Sequence, residues 1–320
     1  MLAFAVYFIY RTATFDSPFK SLVIKEIKLI MFILSCESTA DLPYEYLQKR
    51  NIPAISYTYS VDGTEYADDM GQLDGRKQFY KFLSEGKLPL TSQICEDRYM
   101  GFFRTQLEKG DLLHIALDSS LSQSIFNAYS AANKLKKEFP KRKIVIVDST
   151  CGCLGYGILV DYLADMRDAG NSFDELYDWA KANKRKIHHQ FFSTTLSYYR
   201  RSGRITGPAM LLGNLLKLCP LLRLDKTGKI IAYSKVMSVN KAIGKTLEET
   251  GSHIQDGSDY NGKLWVAHSD CEETAQKVVE QLKQLYKNAD IRLFEIGPII
   301  GAHCGAGTVA VYFMGDERVS

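Results

Sequence analysis

From Met31 onward the chain alternates between short unbroken apolar runs and longer stretches whose apolar residues recur at helical spacing. Residues 32–35 read as a first buried strand, and Ser38-Thr39-Ala40-Asp41 as the opening of a helix over 42–50. The run IPAISYTYS (52–60) reads as a second strand. Residues 75–85 place Phe79, Phe82 and Leu83 on one helical face. Thr91-Ser92-Gln93 stands before a helix with Tyr99, Phe102, Phe103 and Leu107 in register, ended by Gly110. Residues 112–117 and 143–148 are further strands. Between them Ile125, Ala128, Tyr129, Ala132 and Leu135 mark a helix, and 154–167 form the next one. Strands separated by helices of this length imply a mostly parallel sheet. Ligands of such sheets sit outside the carboxyl ends of the strands.

After about residue 183 the rhythm changes. Residues 188–194 read as a strand and Ser202-Gly203-Arg204 as a turn. The segment 205–224 is strongly apolar, but Asn214, Lys217 and two prolines argue for a short buried helix and a strand over a membrane span. Asp225-Lys226-Thr227-Gly228 signals a hairpin that returns as a strand over 229–235. Helices follow at 240–249 and 272–286, and strands at 264–268, 291–296 and 308–314. Hairpins mixed with helices predict an α+β unit. The expected fold class is therefore α/β, with a parallel-sheet α/β domain over 31–183 and a C-terminal α+β domain over 184–320. Residues 1–30 fit neither. Their apolar start, MLAFAVYFIY, is too short for a bilayer and has no positive residue before it. They read as an extension, or as an artefact of start-site choice.

Composition narrows the function classes. A chain of 320 residues suits two domains, and 46% hydrophobic content suffices for real cores. Forty basic residues against 37 acidic ones, with no basic block, exclude a nucleic-acid footprint. Seven cysteines, an odd number without a secretory signal, point to reduced thiols in a cytoplasm. Cys151-Gly152-Cys153 has no second pair or nearby histidine to make a zinc site, so these thiols read as small packing groups.

Three clusters carry candidate chemistry. Ser119, Ser120, Ser122 and Ser124 stand where a strand hands over to a helix. The first N–H groups of a helix lack internal partners and favour anions, and nearby hydroxyls can add to that. Serines are also ordinary N-caps. Thr91-Ser92-Gln93 is a second such start. The third cluster is the glycine-rich loop 297–307, in which His303 can donate to an oxygen. Neither a phosphate-binding P-loop nor a G-x-S-x-G nucleophile elbow is present. Asp68-Asp69 and Glu272-Glu273 read as surface-loop and helix-start residues. Of His188 and His189, in a strand, at most one can face a given pocket. A Ser119–His303 pair lacks an evident orienting acid.

Together these segments resemble the DegV family of bacterial fatty-acid-binding proteins from about Met31 to the C-terminus. SCESTADLP (35–43) is similar to the family's DST-x-DLP opening, with Glu37 for the usual aspartate. PLTSQ (89–93) resembles its TSQ motif, and LDSSLSQS (117–124) its SS-x-LSGT turn, with Gln123 and Ser124 substituted. SYYRRSGRI (197–205) resembles L-x-x-GGRI, and GPIIGAHCGAG (297–307) resembles GP-x-IG-x-H-x-GPG, with Ala306 for proline. The resemblance implies a tunnel between two domains that holds one long-chain fatty acid, with no other cofactor and no catalysis. It assigns the carboxylate to Thr91, Ser119 and His303, with Ser92, Ser122 and Arg204 in second rank. Met210, Leu211 and Leu215, with Leu212, Leu216 and Leu218, are the candidate tail contacts. It further implies a separate ATP-dependent fatty acid kinase as partner, and neither nucleic acid nor stable membrane insertion. One departure bears on that partner: the segment SKVMSVNKA (234–242) has Met237 and Val239, and no arginine, where relatives commonly carry one. The alternatives are a serine-dependent hydrolase or acyltransferase using Ser119 and His303, and a carrier for another amphipathic carboxylate.

Overall fold

The computed structural model describes residues 32–205 and 218–319. Strand β1 (Phe32–Glu37) is almost wholly buried, as a parallel strand covered on both faces must be. A short 3-10 turn (Ser38–Ala40) leads to α1 (Tyr44–Lys49), and β2 (Ala54–Ile55) pairs with the end of β1. The chain then leaves this sheet. Strand β3 (Thr58–Val61) makes an antiparallel hairpin with β4 (Thr64–Ala67). After α2 (Gly75–Ser84), β5 (Leu90–Ser92) pairs with the other edge of β3. Helix α3 (Glu96–Leu107), β6 (Asp111–Ala116), α4 (Ser124–Glu138) and β7 (Ile144–Asp148) complete the first half. Its main sheet has the order β2-β1-β6-β7 and is parallel throughout.

The second half starts with α5 (Cys153–Asp168) and α6 (Phe173–Asn183). Then come β8 (Ile187–Ser193), α7 (Ser197–Ser202), β9 (Cys219–Leu224), β10 (Ile230–Val236) and α8 (Val239–His253). Strand β11 (Lys263–Ser269), α9 (Glu272–Leu285), β12 (Asp290–Glu295), α10 (Pro298–Cys304) and β13 (Thr308–Met314) follow. Six strands form a mixed sheet in the order β10-β9-β8-β13-β11-β12, in which only β11 and β12 run parallel. Helix α5 packs against β8, β11 and β13 and also against β1, so it is shared between the two sheets. Up to Ala164 this helix is almost wholly buried and needs no polar face; its polar, exposed residues fall in the last turn. Close approach also needs small residues: a Cβ on Gly155 would strike the His189 ring, and one on Gly157 the carbonyl of Ala40. Among the described residues no helix is long and apolar enough to cross a membrane.

Several expectations are corrected. Residues 52–60 are not one strand: the run is divided between the parallel sheet and a separate three-stranded antiparallel sheet. Thr91 and Ser92 do not open a helix. They lie in β5, and α3 starts four residues later at Glu96. Asp68 is buried, not on a surface loop, beside Asp41 and Arg76. Residues 298–304 of the glycine-rich loop are helical, with Pro298 at the first turn, where its missing N–H costs nothing. Helix α6 has no counterpart among the expected elements, although Ser172 and Glu175 cap each other's backbone N–H in a capping box. The buried helix expected within 205–224 falls largely outside the described residues.

Candidate functional site

A cavity of about 1020 Å³, its mouth included, opens between the carboxyl ends of the parallel strands and the mixed sheet. Most of its wall is apolar, with Leu117, Leu121, Phe191, Leu224, Ile230 and Ile299 contributing. The polar lining includes Tyr57, Thr91, Ser92, Ser122, Arg204 and His303. Among the described lining residues Arg204 is the one lysine or arginine, and there is no aspartate or glutamate. That charge pattern favours an anionic group on an otherwise apolar molecule.

Two walls meet at Thr91. Its hydroxyl, on β5, lies 2.9 Å from His303 Nε2 on α10. Burial is the main cause that pushes the His303 pKa down to about 4, and the charges of Arg204 and Arg201 add to it. The imidazole is therefore neutral near pH 7 and carries a single N–H. If that proton is on Nε2 it goes to Thr91, whose own hydroxyl proton is then free. If Thr91 donates to Nε2, the proton sits on Nδ1, which is buried without a protein partner. Either tautomer leaves one donor unspent beside the cavity. An acceptor oxygen there would use it.

Helix α10 is held from the first half of the chain. Asp41 Oδ1 accepts from Gly297 N at 3.0 Å, Tyr80 donates to the Ile296 carbonyl at 2.8 Å, and Arg76 donates to the Glu295 carbonyl at 2.7 Å. Arg201 donates to the Ala302 carbonyl at 3.3 Å. These contacts fix where His303 stands.

The serine turn divides. Ser124 is fully buried, and its hydroxyl accepts from Ile94 N at 3.0 Å, which ties α4 to the segment after β5. Ser122 accepts from Ser124 N at 3.2 Å and lies 3.3 Å from the Tyr57 hydroxyl, yet it also lines the cavity. Asp118 shapes the turn: its side chain accepts from Ser120 N at 2.6 Å, and its own backbone carbonyl receives Leu121 N and Ser122 N. Burial pushes the Asp118 pKa up to about 6. The hairpin between β9 and β10 presses on this carboxyl group so closely that a Cβ on Gly228 would overlap it. Arg204 donates to the Leu121 carbonyl at 3.3 Å and to the Ser202 carbonyl. Burial lowers its pKa, although a guanidinium keeps its charge.

Thr91, Ser92, Ser122, Arg204 and His303 thus surround one cavity. Ser119, expected in first rank, is half-buried and lies outside the lining. A Ser119–His303 pair is not formed: Nε2 of His303 meets Thr91, and its Nδ1 has no protein partner. Met210, Leu211 and Leu215, with Leu212 and Leu216, lie outside the described residues. Of the strand pair His188-His189, only His189 reaches the cavity. Tyr57, Tyr199 and Tyr312 line it without having been foreseen. Alternation within a single strand over 52–60 gave no hint that Tyr57 stands where the chain crosses between sheets.

Residues 33–316 match the family model described as "Uncharacterised protein, DegV family COG1307". A DegV domain-containing protein of Clostridium perfringens is 34% identical over 288 residues, 90% of this chain and 98% of that protein. Among solved structures, a fatty-acid-binding DegV family protein from Thermus thermophilus is similar with a TM-score of 0.78 and 24% identity, covering 89% of this chain and 99% of that one. The Streptococcus pneumoniae fatty acid kinase B3 protein, loaded with linoleic acid, matches with a TM-score of 0.76 and 19% identity over 89% of this chain and all of that one. At these identities the structures establish a shared fold.

Proposed function

The chain belongs to the DegV family, and we propose that it is a non-catalytic carrier that binds one long-chain fatty acid in the cavity between its two sheets. The observation that carries this reading is the lining itself: apolar walls, hydroxyls, a neutral histidine, one guanidinium and no carboxylate. Thr91, Ser122, Arg204 and His303 hold the headgroup, with Ser92 beside them. Ser119 acts through the turn backbone. Burying a sixteen-carbon tail contributes about 0.8 kcal/mol per methylene, on the order of 12 kcal/mol gross. Lost freedom of ligand and side chains offsets several kcal/mol of that. A net gain of this size keeps the ligand bound through purification.

The carboxyl group is held mainly by hydroxyls and a neutral ring, so it keeps enough nucleophilic character to accept a phosphoryl group. We propose a separate ATP-dependent fatty acid kinase as the partner that supplies it. The fatty acid kinase B3 protein among the structural neighbours supports that role. Met237, 72% exposed just beyond β10, places an apolar residue on the surface of the segment for which the family resemblance implies an arginine.

The test is denaturing extraction followed by lipid mass spectrometry. About one fatty acid per chain is expected from the wild type. Thr91→Val combined with Ser122→Ala should lower retention at least tenfold, as two lost charge-assisted hydrogen bonds require. An unchanged lipid content in that double variant would remove the headgroup assignment. A wild type that copurifies with no lipid and takes up none would remove the carrier reading.

A further inference from the structure

On the face of the mixed sheet away from the cavity, three ligand-type side chains converge. His188 points from β8 opposite to His189, His253 stands in the last turn of α8, and Asp316 follows β13. His188 Nε2 lies 2.9 Å from Asp316 Oδ1, and His253 Nδ1 lies 3.1 and 3.2 Å from the two Asp316 oxygens. One ligand atom from each residue falls within 4.8 Å of the other two. We propose that His188, His253 and Asp316 form a binding site for a divalent transition-metal ion of the zinc class.

The geometry fits such an ion. Metal–ligand bonds of about 2.0–2.2 Å place tetrahedral ligand atoms roughly 3.3 Å apart, close to the two shorter separations found here. The Asp316 carboxyl group, 57% exposed, can swing outward to let an ion sit between it and the rings. That exposure also leaves a fourth position for water. Glu249, one turn earlier on α8, brings an oxygen to 3.9 Å from the outer nitrogen of His253. A carboxylate behind a histidine is how metal-binding imidazoles are commonly oriented. Two imidazoles and one carboxylate favour zinc, cobalt or nickel over the all-oxygen sites of magnesium and calcium. The consequence is mechanical. Asp316 belongs to the segment 315–319, whose Arg318 is buried and donates to the Thr150 carbonyl at 2.7 Å, while Val319 accepts from Lys226 N. An ion on Asp316 would pin this segment to the mixed sheet and so brace its grip on the loop after β7.

The test uses the full chain stripped of metal with a chelator, then titrated with zinc chloride and, separately, cobalt chloride. One equivalent of zinc should bind and raise the thermal midpoint, as any ligand of the folded state does. Cobalt should give visible bands without the near-ultraviolet thiolate charge-transfer band that the chain's free cysteines would produce. His253→Gln, at a half-buried position, and Asp316→Asn, at an exposed one, should weaken binding at least tenfold while the metal-free midpoints stay near wild type. Equal zinc affinity in wild type and both variants would overturn the proposal. So would a thiolate band, or no zinc-dependent rise, which would leave the three groups as a hydrogen-bonded tether only.

Discussion

Glu37 offers the sharpest test of how the chain builds the serine turn. Its side chain is fully buried at the end of β1. One carboxyl oxygen accepts from the Tyr99 hydroxyl at 2.5 Å. The other accepts from Leu117 N at 2.9 Å and more weakly from Thr39 Oγ1 at 3.4 Å. Leu117 is the first residue beyond β6 and itself lines the cavity. In Glu37→Ala the Leu117 N–H and the Tyr99 O–H lose their acceptor in a place water does not reach. Each buried orphan costs about 1–3 kcal/mol, so the pair costs about 4 kcal/mol. For a chain of this size that lowers the thermal midpoint by about 6 °C. In Glu37→Gln the amide oxygen can accept from Leu117 N, and the amide N–H can meet the Tyr99 oxygen once that hydroxyl turns. Its loss should stay below about 2 kcal/mol. Urea and thermal unfolding at neutral pH measure both variants, with an unchanged denaturant slope as the check on two-state behaviour. If alanine and glutamine cost the same, or alanine costs under about 1 kcal/mol, the account of the carboxyl group as an anchor for Leu117 is refuted.

Gly228 lies at φ +84° against Asp118, whereas Gly63 lies at φ +82° with nothing near its Cβ position. Gly63→Ala should therefore cost only the left-handed penalty, about 1–2 kcal/mol. Gly228→Ala should cost more and also lower fatty acid retention by moving the turn; equal urea midpoints for the two variants would contradict the collision. A third prediction concerns pH. The depressed His303 pKa, about 4, makes the unfolded chain bind a proton first, so stability from this group rises with pH between about 4 and 6.5. Asp41 works the other way: burial lifts its pKa to about 7, the folded state keeps the proton longer, and stability falls as pH rises from about 4 to 7. Asp41→Asn removes the falling arm, so its thermal midpoint should climb more steeply than wild type across about pH 4.5–6.5. Parallel profiles would refute the assignment.

The alternation of apolar runs was enough to read the parallel sheet and nearly every strand of the mixed one, because buried strands announce themselves without help from distant residues. What it could not show was where a continuous run changes sheets. IPAISYTYS carries one pattern but serves two sheets, and the break is set by pairing with 90–92, far along the chain. Asp68 was misread for a related reason: an acidic pair looks solvated until Arg76 and Asp41 are known to lie beside it. At the site, the residue types of each cluster were legible singly. Spacing does not show that they meet, because the Thr91–His303 contact spans 212 positions; only the family resemblance put the two residues on one headgroup. The choice between Ser119 and Ser122 turns on the Asp118-shaped turn, which spacing alone does not specify.

Strand β13 bears on how the protein comes into being. It lies in the interior of the mixed sheet, between β8 and β11, and pairs Thr308–Met314 with Ser193–Ile187. A chain emerging from the ribosome therefore holds β8 with one edge open through more than a hundred further residues of synthesis. Thr308, Ala310 and Tyr312 of this same strand form part of the cavity wall. The cavity is not complete on the nascent chain before they arrive. If the cavity carries the proposed ligand, loading follows synthesis, and until then the open edge of β8 is the stretch most exposed to wrong pairing.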